Sequence, residues 1–421
     1  MDRAATSDEH RRELSRRWDG LLQQARARDG FGDFLRAPSL ASILPVAADG
    51  PIVVINAART RTDALIVTAD GVIPIRLSDL HDGLMHWTNE YLTAIQMQQD
   101  ATTRYFAARM RFESGDRSPA AFHGYQAAKA ELLTVGTETE QKVDATLRWL
   151  WDCLAEPVLT ALGFNAAVAE PPRVWWCPTG PLTFLPLHAA GHHDDGRSVL
   201  DRVVSSYTPT IRALRQSRRR RPQRETDALL IVEAGNVEGQ PPLPHTAAEV
   251  AALETLFAGR CTVLRGETAT RKNVREHLAT HARVHFSGHG HQDLARPAEG
   301  GLLLSDGTLR IADLSAHRFD GDFAFLSACK SATGGLELED EVVTLASTLN
   351  HTGHAQVIAT LWSVYDRSAR QVAEGVYGRL VSVDGFTTRG AAHALNATLR
   401  KLRAQSPDCP TRWIPFTHTG A

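Results

Sequence analysis

The stretch Arg283-Val-His-Phe-Ser-Gly-His-Gly-His291 decides how this chain is read. It begins as an apolar strand, runs into glycines and carries three histidines, His285, His289 and His291. They are either metal ligands or one of them is the acid-base partner of a nucleophile held elsewhere. Further along, Phe325-Leu-Ser-Ala-Cys-Lys-Ser-Ala-Thr-Gly-Gly335 repeats the pattern: an apolar strand opening into small residues around one reactive side chain, Cys329. Small flanking residues let a substrate backbone approach closely.

Working outward, the second half of the chain alternates strand and helix patterns. Strands are expected at 228–232, 261–264, 283–286, 323–326 and 357–361, with helices at 246–257 and 271–280 and helical segments after the last two strands. Such alternation marks a mostly parallel sheet covered on both faces. Functional residues in these sheets collect beyond the carboxyl ends of strands.

Upstream, residues 8–36 read as a short amphipathic helix that packs or caps, with Leu14, Trp18, Leu21 and Leu22 on one side. Short strands at 52–55, 64–67 and 72–75 are joined by hairpin turns. Low glycine and proline content from Leu80 to Phe112 and from Ala120 to Leu162 predicts two long helices. Strands follow at 174–177, 182–185 and 203–207, with His192 and His193 in a solvated loop between the last two. Arg215-Gln-Ser-Arg-Arg-Arg-Arg-Pro-Gln-Arg224 is a charged run broken by proline and reads as a linker. The organisation is therefore an N-terminal helical segment (1–45), an α/β half with long helices (46–215), a basic linker (216–226) and a second α/β half (227–421).

Composition limits the function classes. Of the 421 residues 43% are apolar and 22% charged, and the net charge of −2 argues against a dedicated nucleic-acid binder. The five cysteines form no CxxC pair, so reduced thiols are expected rather than disulfides or a zinc ribbon. The N-terminus is charged without an apolar core, and no window offers ~18 uninterrupted apolar residues. A cytoplasmic protein with no membrane contact is the expectation.

A cysteine thiol with an ordinary pKa of about 8.5 is brought to roughly 3.5–7.5 by a nearby imidazolium or a helix N-terminus. Cys329 precedes an expected helix, and if strands 283–286 and 323–326 are parallel neighbours, His289 lies beside it. The backbone N–H groups of Gly290 and Cys329 would then meet a developing oxyanion, each such donor being worth about 10²–10³-fold in rate.

These segments resemble the CHAT family of caspase-like cysteine peptidases, of the clan that also holds caspases, separase and the gingipains. The resemblance rests on His285-Phe-Ser-Gly-His-Gly290, Leu326-Ser-Ala-Cys-Lys-Ser-Ala332, Asp340-Glu341, Ile358-Ala-Thr-Leu-Trp-Ser-Val-Tyr-Asp366 and Trp413-Ile-Pro-Phe416. Upstream, Leu182-Thr-Phe-Leu-Pro-Leu-His-Ala189, Tyr207-Thr-Pro-Thr-Ile211 and Leu243-Pro-His-Thr-Ala-Ala-Glu249 extend it over about 145–421. It implies a three-layer α/β/α sandwich, a His289/Cys329 dyad with Gly290 in the oxyanion hole, and a histidine that protonates the leaving amine. It also implies that Trp362, Ser363 and Val364 border a cleft where an extended peptide adds as a strand. Separase-like relatives carry a non-catalytic caspase-like half before the active one, which would account for residues 46–215. Lys330 departs from the pattern, since many family members are acidic there.

His285 is then a core histidine, His289 the reactive one, and His291 a loop or cleft-wall residue. No metal or cofactor is expected, because HxHxDH spacing and nearby acidic ligands are missing. Asp340, Glu341 and Asp366 either pair with a basic substrate side chain or cap helices. On the first reading the arginine run 215–224 is a candidate self-cleavage site. The resulting expectation is a regulated endopeptidase acting on protein partners in prokaryotic defence or cell death, under a separate regulatory subunit or the N-terminal half. The alternatives are a catalytically weak adaptor of the same fold and an acyl hydrolase with a closed apolar pocket.

Overall fold

Eleven strands form one continuous sheet in the computed structural model, which describes the chain apart from residues 1, 30, 33, 37, 59, 220–227, 241, 292–295, 329–343, 363, 365 and 383–384. In chain order the strands are β1 (Ile52–Ala57), β2 (Thr62–Val67), β3 (Val72–Arg76), β4 (Arg173–Pro178), β5 (Val204–Tyr207) and β6 (Leu229–Ala234). They continue as β7 (Cys261–Arg265), β8 (Arg283–Gly288), β9 (Phe323–Ala328), β10 (Gln356–Thr360) and β11 (Phe416–Gly420). Across the sheet they run β3-β2-β1-β4-β5-β11-β10-β9-β8-β6-β7.

β7, β6, β8, β9 and β10 are mutually parallel, as the alternating pattern predicts. β9 is buried at all six positions, the signature of a strand covered on both faces. β11 pairs antiparallel with β10 and parallel with β5, so it joins this block to β5, β4 and β1. The hairpins β1-β2 and β2-β3 finish the far edge.

The principal helices are α1 (Asp2–Arg26), α2 (Ser78–Glu113), α3 (Pro119–Leu150), α4 (Ile211–Arg219), α5 (Pro244–Phe257), α6 (Arg271–Leu278), α7 (Leu345–Thr352), α8 (Asp366–Leu380) and α9 (Ala391–Gln405). Odd-numbered residues of β9 (Phe323, Phe325) share a core with Val250, Leu253 and Phe257 of α5 and Val372, Val376 and Tyr377 of α8. Even-numbered ones (Ala324, Leu326) pack with Val274 and Leu278 of α6 and Leu345 and Leu349 of α7. This is the three-layer α/β/α arrangement expected from the sequence.

α2 and α3 form a hairpin of 36- and 32-residue helices, roughly 50 Å long. The buried residues of α2 end at Ala101, and beyond it the helices hold each other through Arg104–Glu131 (2.8 Å) and the stacked rings of Phe112 and Tyr125 (5.7 Å). No described helix is long and apolar enough to cross a membrane.

Three local expectations are corrected. Residues 180–184 form a 3-10 helix rather than a strand: Gly180 turns with a positive φ of 56°, and Pro181 fixes a helical φ at its start. α1 leaves most of its apolar side uncovered, since Leu14, Trp18 and Leu21 are each more than half exposed while Leu22 is half-buried. The 192–193 segment is partnered: His192 Nε2 lies 2.9 Å from Asp152 Oδ1, and His193 stands edge-on to Trp413 (4.9 Å) with Nε2 2.9 Å from the Ala189 carbonyl. The basic linker is helical as far as Arg219, the end of α4, and its remainder falls outside the described residues.

Candidate functional site at the ends of β8 and β9

β8 and β9 are parallel neighbours in strict register, with His285 opposite Phe325, Ser287 opposite Ser327 and Gly288 opposite Ala328. His289 is the next residue after this last pair on one strand. Cys329 is next on the other, outside the described residues together with Lys330, Asp340 and Glu341.

The exit of β8 is sterically specified. A Cβ on Gly288 would stand 2.6 Å from the Ala234 carbonyl oxygen of β6, so only glycine fits at this approach. His289 is 8% exposed. Gly290 and His291 then enter a small three-stranded sheet with 301–304 and 307–310. There Leu303 N–H donates to the His289 carbonyl (2.9 Å), and Gly290 faces Leu302 as a pair that exchanges no hydrogen bonds. The Gly290 N–H is thereby directed away from that strand. His291 is exposed. At the end of β9, Thr360 of β10 donates its hydroxyl to the Ala328 carbonyl.

His285 is fully buried, as a core histidine should be, with Nδ1 3.2 Å from the Tyr377 hydroxyl. Its Nε2 lies 3.1 Å from Glu249 Oε1 without hydrogen-bond alignment. Glu249, on α5 and 1% exposed, accepts at Oε2 from Ser287 (2.9 Å) and Ser327 (3.2 Å). Burial, and secondarily the Glu249 charge, push the Tyr377 phenol well above its ordinary range. The two serines and the carboxylate beneath them escaped the sequence reading. Their one signal was the serine repeated two positions before both His289 and Cys329.

Of the other residues expected here, Trp362 is buried, its ring edge-on to Tyr91 of α2 (5.7 Å). Val364 is half-buried against the main core, Ser363 lies outside the described residues, and Asp366 starts α8. No cluster of potential metal ligands exists among the described residues.

The remaining four cysteines are free thiols held protonated. Burial pushes Cys177 up to about 12 and Cys153 up to about 11, and raises Cys261 and Cys409. A thiolate at neutral pH is therefore disfavoured at each of them.

The CHAT domain family profile matches residues 144–421. Among solved structures, the Saccharomyces cerevisiae separase-securin complex superposes with a TM-score of 0.58 at 10% identity, covering 90% of this chain but 30% of that one. Gingipain R, the Arg-specific cysteine proteinase of Porphyromonas gingivalis, overlaps more loosely (TM-score 0.41, 13% identity, 66% of this chain and 67% of that one). No curated protein sequence matches the chain. The fold is that of the caspase-like cysteine peptidases, and with the family profile spanning more than half of its residues the chain belongs to the CHAT domain family.

Proposed function

We propose that the chain is a cysteine endopeptidase that cuts specific protein partners through His289 and Cys329. The observation that carries this reading is the register of β8 and β9, whose last paired residues, Gly288 and Ala328, immediately precede the histidine and the cysteine. In the proposed reaction the Cys329 thiolate attacks a peptide carbonyl carbon, forming a C–S bond and moving the carbonyl electrons onto oxygen. The N–H groups of Gly290 and Cys329 receive that oxyanion. Collapse expels the amine, which takes a proton from the His289 imidazolium, and water then hydrolyses the thioester.

Substrate enters as an extended segment beside residues 362–364, with Asp340, Glu341 and Asp366 favouring a basic side chain before the cut. Residues 46–215 serve as the non-catalytic half, and a separate protein subunit supplies control in a cytoplasmic prokaryotic defence or cell-death pathway. Support for protein partners comes from the separase structure, which was solved in complex with securin.

Labelling with a thiol-reactive peptide ketone tests the reading. Wild type should be labelled, and Cys329→Ala and His289→Ala should each abolish labelling. Labelling that persists without either side chain overturns it, and a wild type that stays unlabelled while binding a partner is an adaptor.

A further inference from the structure

We infer that Glu249 is a positioning residue: one buried carboxylate ties the ends of β8 and β9 together and so sets the spacing of the two groups that follow them. The inference rests on the reading of His289 and Cys329 as the reactive pair. It starts from Ser287 and Ser327, which are register partners on adjacent strands and both donate to Glu249 Oε2, at 2.9 and 3.2 Å. Ser287 and Ser327 stand two residues before His289 and Cys329 in the chain, one before the last residue of each strand, so displacement of a serine shifts the exit of its strand.

The network is built for rigidity rather than filled by chance. Glu249, Ser287 and His285 are at most 1% exposed and Ser327 6%. Both serine hydroxyls converge on one oxygen, Oε2, of a side chain sealed from solvent. The titratable groups packed against it are His285 of β8, whose Nε2 is 3.1 Å from Oε1, and Tyr377 of α8, which contacts His285 Nδ1. Backbone ladder bonds fix β8 beside β9 along most of their length. The last register pair among the described residues is Gly288 with Ala328, and the carboxylate clamp lies one pair before it.

The experiment measures the rate of Cys329 alkylation by iodoacetamide between pH 6 and 9.5 in the full chain, with the other four cysteines replaced by serine or alanine. The readout is the ratio of rates at pH 6.5 and pH 9. An imidazolium at fixed distance keeps the thiolate populated at pH 6.5, whereas an ordinary thiol is almost wholly protonated there. In folded Glu249→Gln and in Ser287→Ala combined with Ser327→Ala, the ratio should fall about tenfold. Single serine variants should fall less, and the double should match Glu249→Gln because the three side chains act as one unit.

Glu140→Gln is the control, a half-buried carboxylate that accepts from the Thr411 N–H (3.1 Å) and hydroxyl, and it should leave the ratio unchanged. A purely stabilising network lowers the melting temperature in Glu249→Gln and leaves the ratio at the wild-type value, which overturns the inference. If Glu249→Gln fails to fold, Ser327→Ala decides by the same ratio. Should wild type itself behave as an ordinary thiol indifferent to His289→Ala, the dyad reading falls, and amide hydrogen exchange then judges the clamp. Faster exchange in the variants confined to 286–290 and 325–328 upholds it, and unchanged exchange rejects it.

Discussion

Each side of the sheet buries a histidine against a tyrosine, and the two are held differently. On the β4-β5 side, His188 has Nδ1 3.0 Å from the Tyr207 hydroxyl and Nε2 2.9 Å from the Ile414 carbonyl. Neutral partners satisfy it, and burial brings its pKa down to about 4, so it is uncharged at neutral pH. On the β8-β9 side, His285 has the equivalent tyrosine, Tyr377, but its other nitrogen faces the carboxylate of Glu249. Glu249 is itself almost wholly buried under the ends of β8 and β9, where the other side places a backbone carbonyl against its histidine.

The comparison predicts unequal sensitivity. The largest effect should come from His289→Ala, which lowers peptide cleavage by about 10²–10⁴-fold, the usual worth of a positioned acid-base group. His188→Gln should leave the rate constant per folded molecule within a few-fold. Equal losses in steady-state cleavage assays would erase the distinction between the two sides.

Next in size is Gly288→Ala, which places a methyl 2.6 Å from the Ala234 carbonyl. It should cost about 1–3 kcal/mol, the usual range for overpacking, read as a lower urea midpoint with unchanged slope. A smaller effect is the response to acid. His188 has its folded pKa depressed to about 4 from an ordinary 6.5, so the unfolded chain binds a proton that the folded chain refuses. Stability is unaffected above about pH 6.5, falls as pH drops from there towards 4, and levels where the folded group also protonates. His193, also at about 4 through burial and the nearby Arg403 charge, acts in the same sense. Melting temperatures between pH 7 and 4.5 should fall, and less steeply in His188→Gln. An unchanged slope removes His188 from the neutral scaffold. The smallest effect, of opposite sign, is expected for Gly378→Ala in α8, where an added methyl meets nothing within 4 Å. It should raise stability by about 0.5–1 kcal/mol, seen as a slightly higher melting temperature without change in cleavage.

Much of this was legible in the sequence, because strands and helices in the parallel block leave strong local periodicities. The two long helices and the individual strands β8 and β9 follow from residues within a few positions of one another, whereas the pairing of those strands, forty positions apart, entered only as a condition. Residues 180–184 were misread because Leu182, Phe184 and Leu185 are buried as a strand's would be, while Pro181 and Gly180 impose a turn. Glu249 was quoted within a motif without its role, since its contacts lie 38 and 78 positions away. Only folding brings them together. α1 shows the converse: Leu14, Trp18 and Leu21 make an apolar stripe by spacing, yet spacing alone does not supply a surface to cover it.

The position of β11 has a consequence for synthesis. It is the last strand of the sheet in chain order, yet it stands in the interior, hydrogen-bonded to β10 on one side and β5 on the other. A nascent chain leaving the ribosome can fold its early segments first, but the seam between the two regions stays open until residues 416–420 have cleared the exit tunnel. Until then the β8-β9 block, with β10 at its open side, has no link through the sheet to β5, β4 and β1.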